Sequence, residues 1–106
     1  MPKFMFLASY GADGVKGLQS GGGTTRAAAV AKLAEGLGGS LESFHFAFGE
    51  HDAYVVVDLP DNESATAAAL NVNASGVVSV QTVVLMTPEE VDAAAQRAVD
   101  YRPPGS

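Results

Sequence analysis

The sequence predicts an α+β domain in which helices lie against one face of a single antiparallel sheet. Three observations lead there. Residues 41–48 alternate aromatic and small or polar side chains, residues 53–59 form a β-branched run, and Gly49-Glu50-His51-Asp52 between them is turn chemistry, so the pair reads as an antiparallel hairpin. Ala-rich segments with helical spacing stand before and after that hairpin. Apolar runs at 4–10 and 77–86 bracket the whole series, which gives the order β-α-β-β-α-β followed by a C-terminal helix.

Each element has a local reason. Phe4-Met5-Phe6-Leu7-Ala8-Ser9-Tyr10 is a short aromatic and aliphatic strand, apolar on both faces, stopped by Gly11 and by the glycines at 14 and 17. Val15 and Leu18 suggest a turn of helix interrupted at Gly21-Gly22-Gly23, where three glycines make a continuous helix costly. Thr24 and Thr25 offer N-cap hydroxyls to the main helix, which carries Val30, Leu33 and Leu37 on one stripe and ends in Gly36, Gly38 and Gly39. In the second strand the period of two places Phe44, Phe46 and Phe48 on one face, as core beneath the helices, and Leu41, Ser43, His45 and Ala47 on the other. Gly49 and Asp52 are expected to shape the hairpin by accepting left-handed backbone. Pro60 stops the third strand, and Asp61-Asn62-Glu63-Ser64 caps a second helix reaching Gly76. The fourth strand puts Ser79 and Gln81 on one face and Val78, Val80, Thr82 and Val84 on the other. Thr87-Pro88-Glu89-Glu90 starts a terminal helix to about residue 99, and 101–106 form a frayed tail.

This order is the split βαβ of ferredoxin-like folds, with an antiparallel sheet and both main helices on one face. The opposite face is then bare. All four strands nevertheless carry apolar residues at both parities, and a large exposed apolar patch marks an interface or a ligand groove. The expectation is sheet-to-sheet association into at least a homodimer, whose paired sheets enclose a shared interior. No repeat or linker divides residues 1–106 into more than one domain.

Composition fits that picture. Of 106 residues, 47% are hydrophobic and 17% charged, against about 25% charged in an ordinary soluble domain. A net charge of −6 argues against nucleic acid and against anionic membrane surfaces as partners. With no cysteine, disulfides, thiolate metal sites and iron–sulfur clusters are excluded, and no cofactor is expected. The N-terminus has no apolar signal-type core, and no apolar run reaches membrane-spanning length, so the expected location is the cytoplasm.

A set of motifs spread over nearly the whole chain resembles one family. They are Met1-Pro2-Lys3-Phe4-Met5 with Ser9-Tyr10, Gly14-Val15-Lys16-Gly17-Leu18, Gly22-Gly23-Thr24 with Arg26, Leu37-Gly38-Gly39, and Leu41-Glu42-Ser43-Phe44 with Phe46-Ala47-Phe48-Gly49-Glu50. They continue through Asp52, Val55-Val56-Val57 with Leu59-Pro60-Asp61, and Thr87-Pro88-Glu89-Glu90-Val91. Together they resemble the GYD-domain family of small bacterial and archaeal proteins. The signature Gly-x-Tyr-Asp is matched at Gly49 and Asp52, with His51 at the tyrosine's place. The resemblance implies a dimeric α+β barrel and no particular activity. Similar barrels include cofactor-free monooxygenases, isomerases and cyclases, haem proteins and ligand-sensing modules, so fold analogy selects none of them.

Few residues offer chemistry. His45 shares its face with Ser43, on the side assigned to the oligomer interior; there it is either a general base in an enclosed pocket or an interface histidine hydrogen-bonded to its neighbours. Tyr54 on the facing strand, Gln81 and Ser79 on the last and Ser9 and Tyr10 on the first are candidates for the polar wall of such a pocket. Arg26, beside Ser20-Gly21-Gly22-Gly23-Thr24-Thr25, is a candidate for anion or carboxylate binding at a helix start, or marks only a break between helical pieces; the Walker lysine is missing. Glu50-His51-Asp52 sets an imidazole between two carboxylates, either as plain turn polarity or, less readily because side chains at adjacent turn positions diverge, as part of a metal or acid–base site. A nucleophile elbow of the Gly-x-Ser-x-Gly type is absent. Two functions follow: a homo-oligomeric module that binds a small or apolar ligand or a partner at the enclosed sheet face, or a cofactor-independent enzyme with His45 as base and Tyr54 or Arg26 orienting the substrate. A haem held by His45 is a third.

Overall fold

A computed structural model describes residues 1–106. Its elements run β1 (Lys3–Tyr10), α1 (Ala12–Gly21), α2 (Gly23–Gly36), β2 (Ser40–Phe46), β3 (Ala53–Asp58), α3 (Asn62–Ala74), β4 (Val78–Leu85) and α4 (Pro88–Ala95). The four strands make one antiparallel sheet in the order β2-β3-β1-β4. This is the ferredoxin-like arrangement expected from the element order. Strands β1 and β3 take the centre, and their helix-facing residues Phe4, Phe6, Ala8, Ala53, Val55 and Val57 are buried. Ala34 of α2 and Ala65 and Ala68 of α3 complete the core with Leu59 and Val78. Alanine on the inner helix faces lets the backbone approach the sheet, and the phenylalanines and valines of the strands fill the space, each large apolar side chain contributing roughly 1.5–3 kcal/mol by leaving water.

The glycine-rich segment divides one helix into two. Gly22 has φ 85°, a left-handed conformation that an L side chain rarely adopts, and its amide closes α1 on the Leu18 carbonyl while its own carbonyl opens α2. Neither Thr24 nor Thr25 caps α2: Gly22 holds the N-cap position, with no side-chain cap. The other two expected helix starts take the anticipated form. Asp61 accepts from the Ser64 amide at 2.8 Å, and Thr87 and Glu90 form a reciprocal capping box with Pro88 in the first turn.

Strand β2 departs from simple alternation. Leu41 lies opposite Val57 and Ser43 opposite Val56, so Glu42 is an extra residue in a β-bulge. The bulge shifts parity: Leu41 now faces the helices with Phe44 and Phe46, while Ser43 and His45 stay on the other side. Phe48 lies beyond the strand end and is fully exposed, so it is not core, and the aromatic stripe reduces to Phe44 and Phe46. No non-glycine residue has positive φ, and Gly49 is not among the glycines that do, which removes left-handed backbone as the reason for Gly49 and Asp52.

Helix α4 ends at Ala95, a turn earlier than expected. Every residue from Met86 to Ser106 is exposed. The radius of gyration is 16.8 Å and the longest dimension 56 Å; a compact chain of this length has a radius near 13 Å. The C-terminal segment therefore extends from the body as an arm.

Candidate functional site

The loop carrying Gly49 to Asp52 is tied to the end of β1. The Tyr10 amide donates to Asp52 Oδ2 at 2.8 Å, the Asp52 amide donates to the Ala8 carbonyl at 2.8 Å, and the Asp52 carbonyl accepts from the Ala47 amide at 2.9 Å. One residue thereby joins the ends of β1 and β2 to the start of β3. Its carboxylate supplies an acceptor where β1 passes the end of its partner strand. Next to it His51 lies with Nδ1 3.3 Å from Ser9 Oγ, its ring edge-on to Tyr54 at a centroid distance of 5.9 Å. Asp52 fixes the hairpin by hydrogen bonding.

On the side of the sheet without helices, cross-strand register orders the side chains into rows. His45, Tyr54, Leu7 and Gln81 form one, and Ser43, Val56, Met5 and Val83 the next. Asp58, Lys3 and Leu85 make a third, where Lys3 Nζ reaches Asp58 Oδ1 and Glu42 Oε1, both at 2.9 Å. These two carboxylates hold the Lys3 ammonium above its ordinary pKa, chiefly by accepting its hydrogen bonds, Asp58 first and then Glu42. The face thus has an apolar centre of Met5, Leu7, Tyr54, Val56, Val83 and Leu85. Its borders are polar: His45, His51, Ser9 and Ser79 at one end, the Lys3 cluster at the other. Met5, Leu7, Tyr54, Val56 and Leu85 are only half-buried and Val83 is exposed, since no part of the chain covers them.

The candidate residues fall into two groups separated by the sheet. His45, Tyr54, Ser43 and Gln81 share the open face, His45 and Gln81 exposed and Tyr54 and Ser43 half-buried. Tyr10 has the parity of Phe4, Phe6 and Ala8 and faces the helices, where its ring lies 6.5 Å from that of Phe46. Arg26, on α2, also lies on the helix side. A single pocket containing all of them is therefore not formed, and Arg26 cannot orient a substrate held by His45. For the second histidine the sequence leaves turn polarity beside a weaker metal or acid–base reading; the signal that places it here is Ser9 at the parity of Met5 and Leu7, on the strand that His51 meets.

Tyr10 and Arg26 instead border two adjacent spaces. One is a narrow crevice of about 40 Å³ between the sheet, α2 and α3, whose wall residues other than Arg26 are all hydrophobic. The other is an open cleft of about 310 Å³ between α1 and α2. Tyr10, Arg26 and Val78 line both.

No helix is long and apolar enough to cross a membrane. Comparison with curated proteins and with solved structures yields no match. The family model of the GYD domain matches residues 4–95, from the first core phenylalanine of β1 to the last residue of α4, and so takes in the Asp52 clasp, the open face and the α1–α2 cleft. The chain belongs to the GYD-domain family.

Proposed function

We propose that this GYD-domain protein acts as a cytoplasmic homo-oligomer in which the open sheet face of one copy covers that of another and encloses a small apolar ligand or partner segment. The observation that carries this reading is the contiguous set Met5, Leu7, Tyr54, Val56, Val83 and Leu85 on a face that no helix of the chain covers. An apolar centre within a polar border is the pattern of an association surface. The exposed arm from Met86 onward offers Val91, Val99 and Tyr101 as further apolar surface for a second copy. Sedimentation equilibrium tests the reading: the wild-type chain is expected to sediment as a dimer or larger, and Val56→Asp, placed mid-face, as a folded monomer by circular dichroism. A wild-type monomer at micromolar concentration would sink it.

A second reading, a cofactor-independent enzyme acting on a small molecule, is favoured by one local arrangement. Tyr54 is the cross-strand register partner of His45 and meets the His51 ring edge-on, so a phenol and two imidazoles share the surface that association would enclose. If His45→Ala and Tyr54→Phe leave unchanged both the ligand retained on purification and any turnover, that reading fails.

A further inference from the structure

We propose that the cleft between α1 and α2 binds a small organic monocarboxylate, with the carboxylate on Arg26 and the apolar end directed into the crevice beneath α2 and α3. This site lies across the sheet from the open face and does not depend on self-association.

Four features support the assignment. The cleft, about 310 Å³, falls within the size range of small-molecule sites, roughly 300–1,000 Å³. Arg26 is half-buried at the junction of cleft and crevice, yet its guanidinium has no ion-pair or hydrogen-bond partner; both ion pairs of the chain use Lys3. A guanidinium with its donors free is matched by a carboxylate, which can accept from two of them at once. Beyond Arg26 and Tyr10 the crevice exceeds the roughly 10–15 Å³ that one water needs but is lined only by alanine, valine, leucine and phenylalanine, so it favours an alkyl or aryl end over water.

The fourth feature is the wall of α1. A Cβ at Gly14 would sit 2.4 Å from the Val77 carbonyl oxygen, so that glycine is required by packing. Gly17 and Gly21 also border the cleft, and a Cβ on either would meet nothing within 4 Å. Nothing within the chain requires these two helical glycines, although glycine is a poor helix former. They leave space that a bound molecule can use. Asp13, the one acid on the cleft wall, makes no ion pair with Arg26 and opposes a second negative charge, which is why the expected ligand is a monoanion.

The test is a nitrogen-15 NMR titration of the full chain with hexanoate, with hexan-1-ol and succinate as the neutral and doubly charged controls. Hexanoate is expected to shift the amides of Gly17, Gly21, Thr25 and Arg26 saturably in the millimolar range. Both controls, and hexanoate with Arg26→Met, should bind about ten-fold or more weakly, the loss of one charge-assisted contact. Gly17→Ala with Gly21→Ala should also weaken binding while raising the melting temperature, a combination that a packing role for these glycines would reverse. The proposal is overturned if hexanoate gives no saturable shift, if the shifts map elsewhere, if hexan-1-ol binds as well, or if either variant binds hexanoate as the wild type does. Diffusion measurements on the same samples report oligomeric state separately, so a failure here leaves the sheet-face reading standing and the converse also holds.

Discussion

Tyr10 and Asp52, 42 positions apart, are joined by a hydrogen bond of 2.8 Å from the Tyr10 amide to the Asp52 carboxylate. The bond ties the last residue of β1 to the loop that leads into β3, in the segment that carries the family signature. Asp52→Ala leaves that amide without its acceptor. The expected loss is about 1.5–3 kcal/mol in urea unfolding, as for a hydrogen bond to a charged group, and Asp52→Asn, which keeps an acceptor oxygen, should lose less. Equal stability of all three chains would show that the clasp contributes nothing.

Two glycines one helical turn apart on α1 should respond with opposite sign. Gly14→Ala drives a methyl against the Val77 carbonyl oxygen and is expected to cost about 1–3 kcal/mol. Gly17→Ala meets open space and should stabilise the helix by roughly 0.5–1 kcal/mol. Thermal unfolding of the two single variants distinguishes these outcomes directly.

The aromatic residues separate in the same way. Phe4 is 1% exposed and Phe48 fully exposed. Phe4→Ala is expected to cost about 3–5 kcal/mol, whereas Phe48→Ala should stay within about 0.5 kcal/mol of the wild type. A large loss at Phe48 would mean that something outside the single chain covers it.

Two charged groups give the stability curve its limbs. The Asp61 carboxyl is held below its ordinary pKa by its hydrogen bonds with Ser64, so its contribution is present above the unfolded value and is lost as pH falls through the lowered one. Lys3 is raised above 10.5, so its contribution is complete below that value and is lost as pH rises through the raised one. Asp61→Ala should therefore flatten the acid limb and Lys3→Met the alkaline limb of the unfolding midpoint against pH, each leaving the other limb unchanged.

Removing residues 88–106 should leave the unfolding of the body nearly unchanged, because that segment is exposed throughout. If the arm serves a second copy, the same truncation lowers the association constant. Sedimentation and thermal unfolding of the truncated chain measure the two effects independently.

Much of this fold is written in local patterns. The β2–β3 hairpin, the parity of β4 and the caps at Asp61 and Thr87 depend on neighbours a few positions away, and the strand alternation and turn chemistry specify them. Those same patterns set His45, Tyr54, Ser43 and Gln81 on one face. What alternation cannot supply is a change of phase within a strand, and this is why Leu41 and Phe44 end on the same side. The side of Tyr10 is legible too, since its parity is that of Phe4 and Phe6. The Asp52 clasp and the cleft beside Arg26 arise from contacts between distant segments, and no local spacing reports them. Phe48 failed as core because its strand stops two residues earlier, where Ala47 turns its amide to Asp52.

The extra residue at Glu42 has a consequence for how this strand can change. Because Glu42 is the one residue of the strand without a partner, deleting it would leave Leu41, Ser43, Phe44, His45 and Phe46 in plain alternation, with Leu41, Phe44 and Phe46 still toward the helices and the pairing with β3 unbroken. The same deletion would strip Lys3 of one of its two carboxylates. A single residue can therefore be lost from β2 at Glu42 without turning over either half of the strand, and what such a loss removes is the carboxylate that the bulge presents to Lys3.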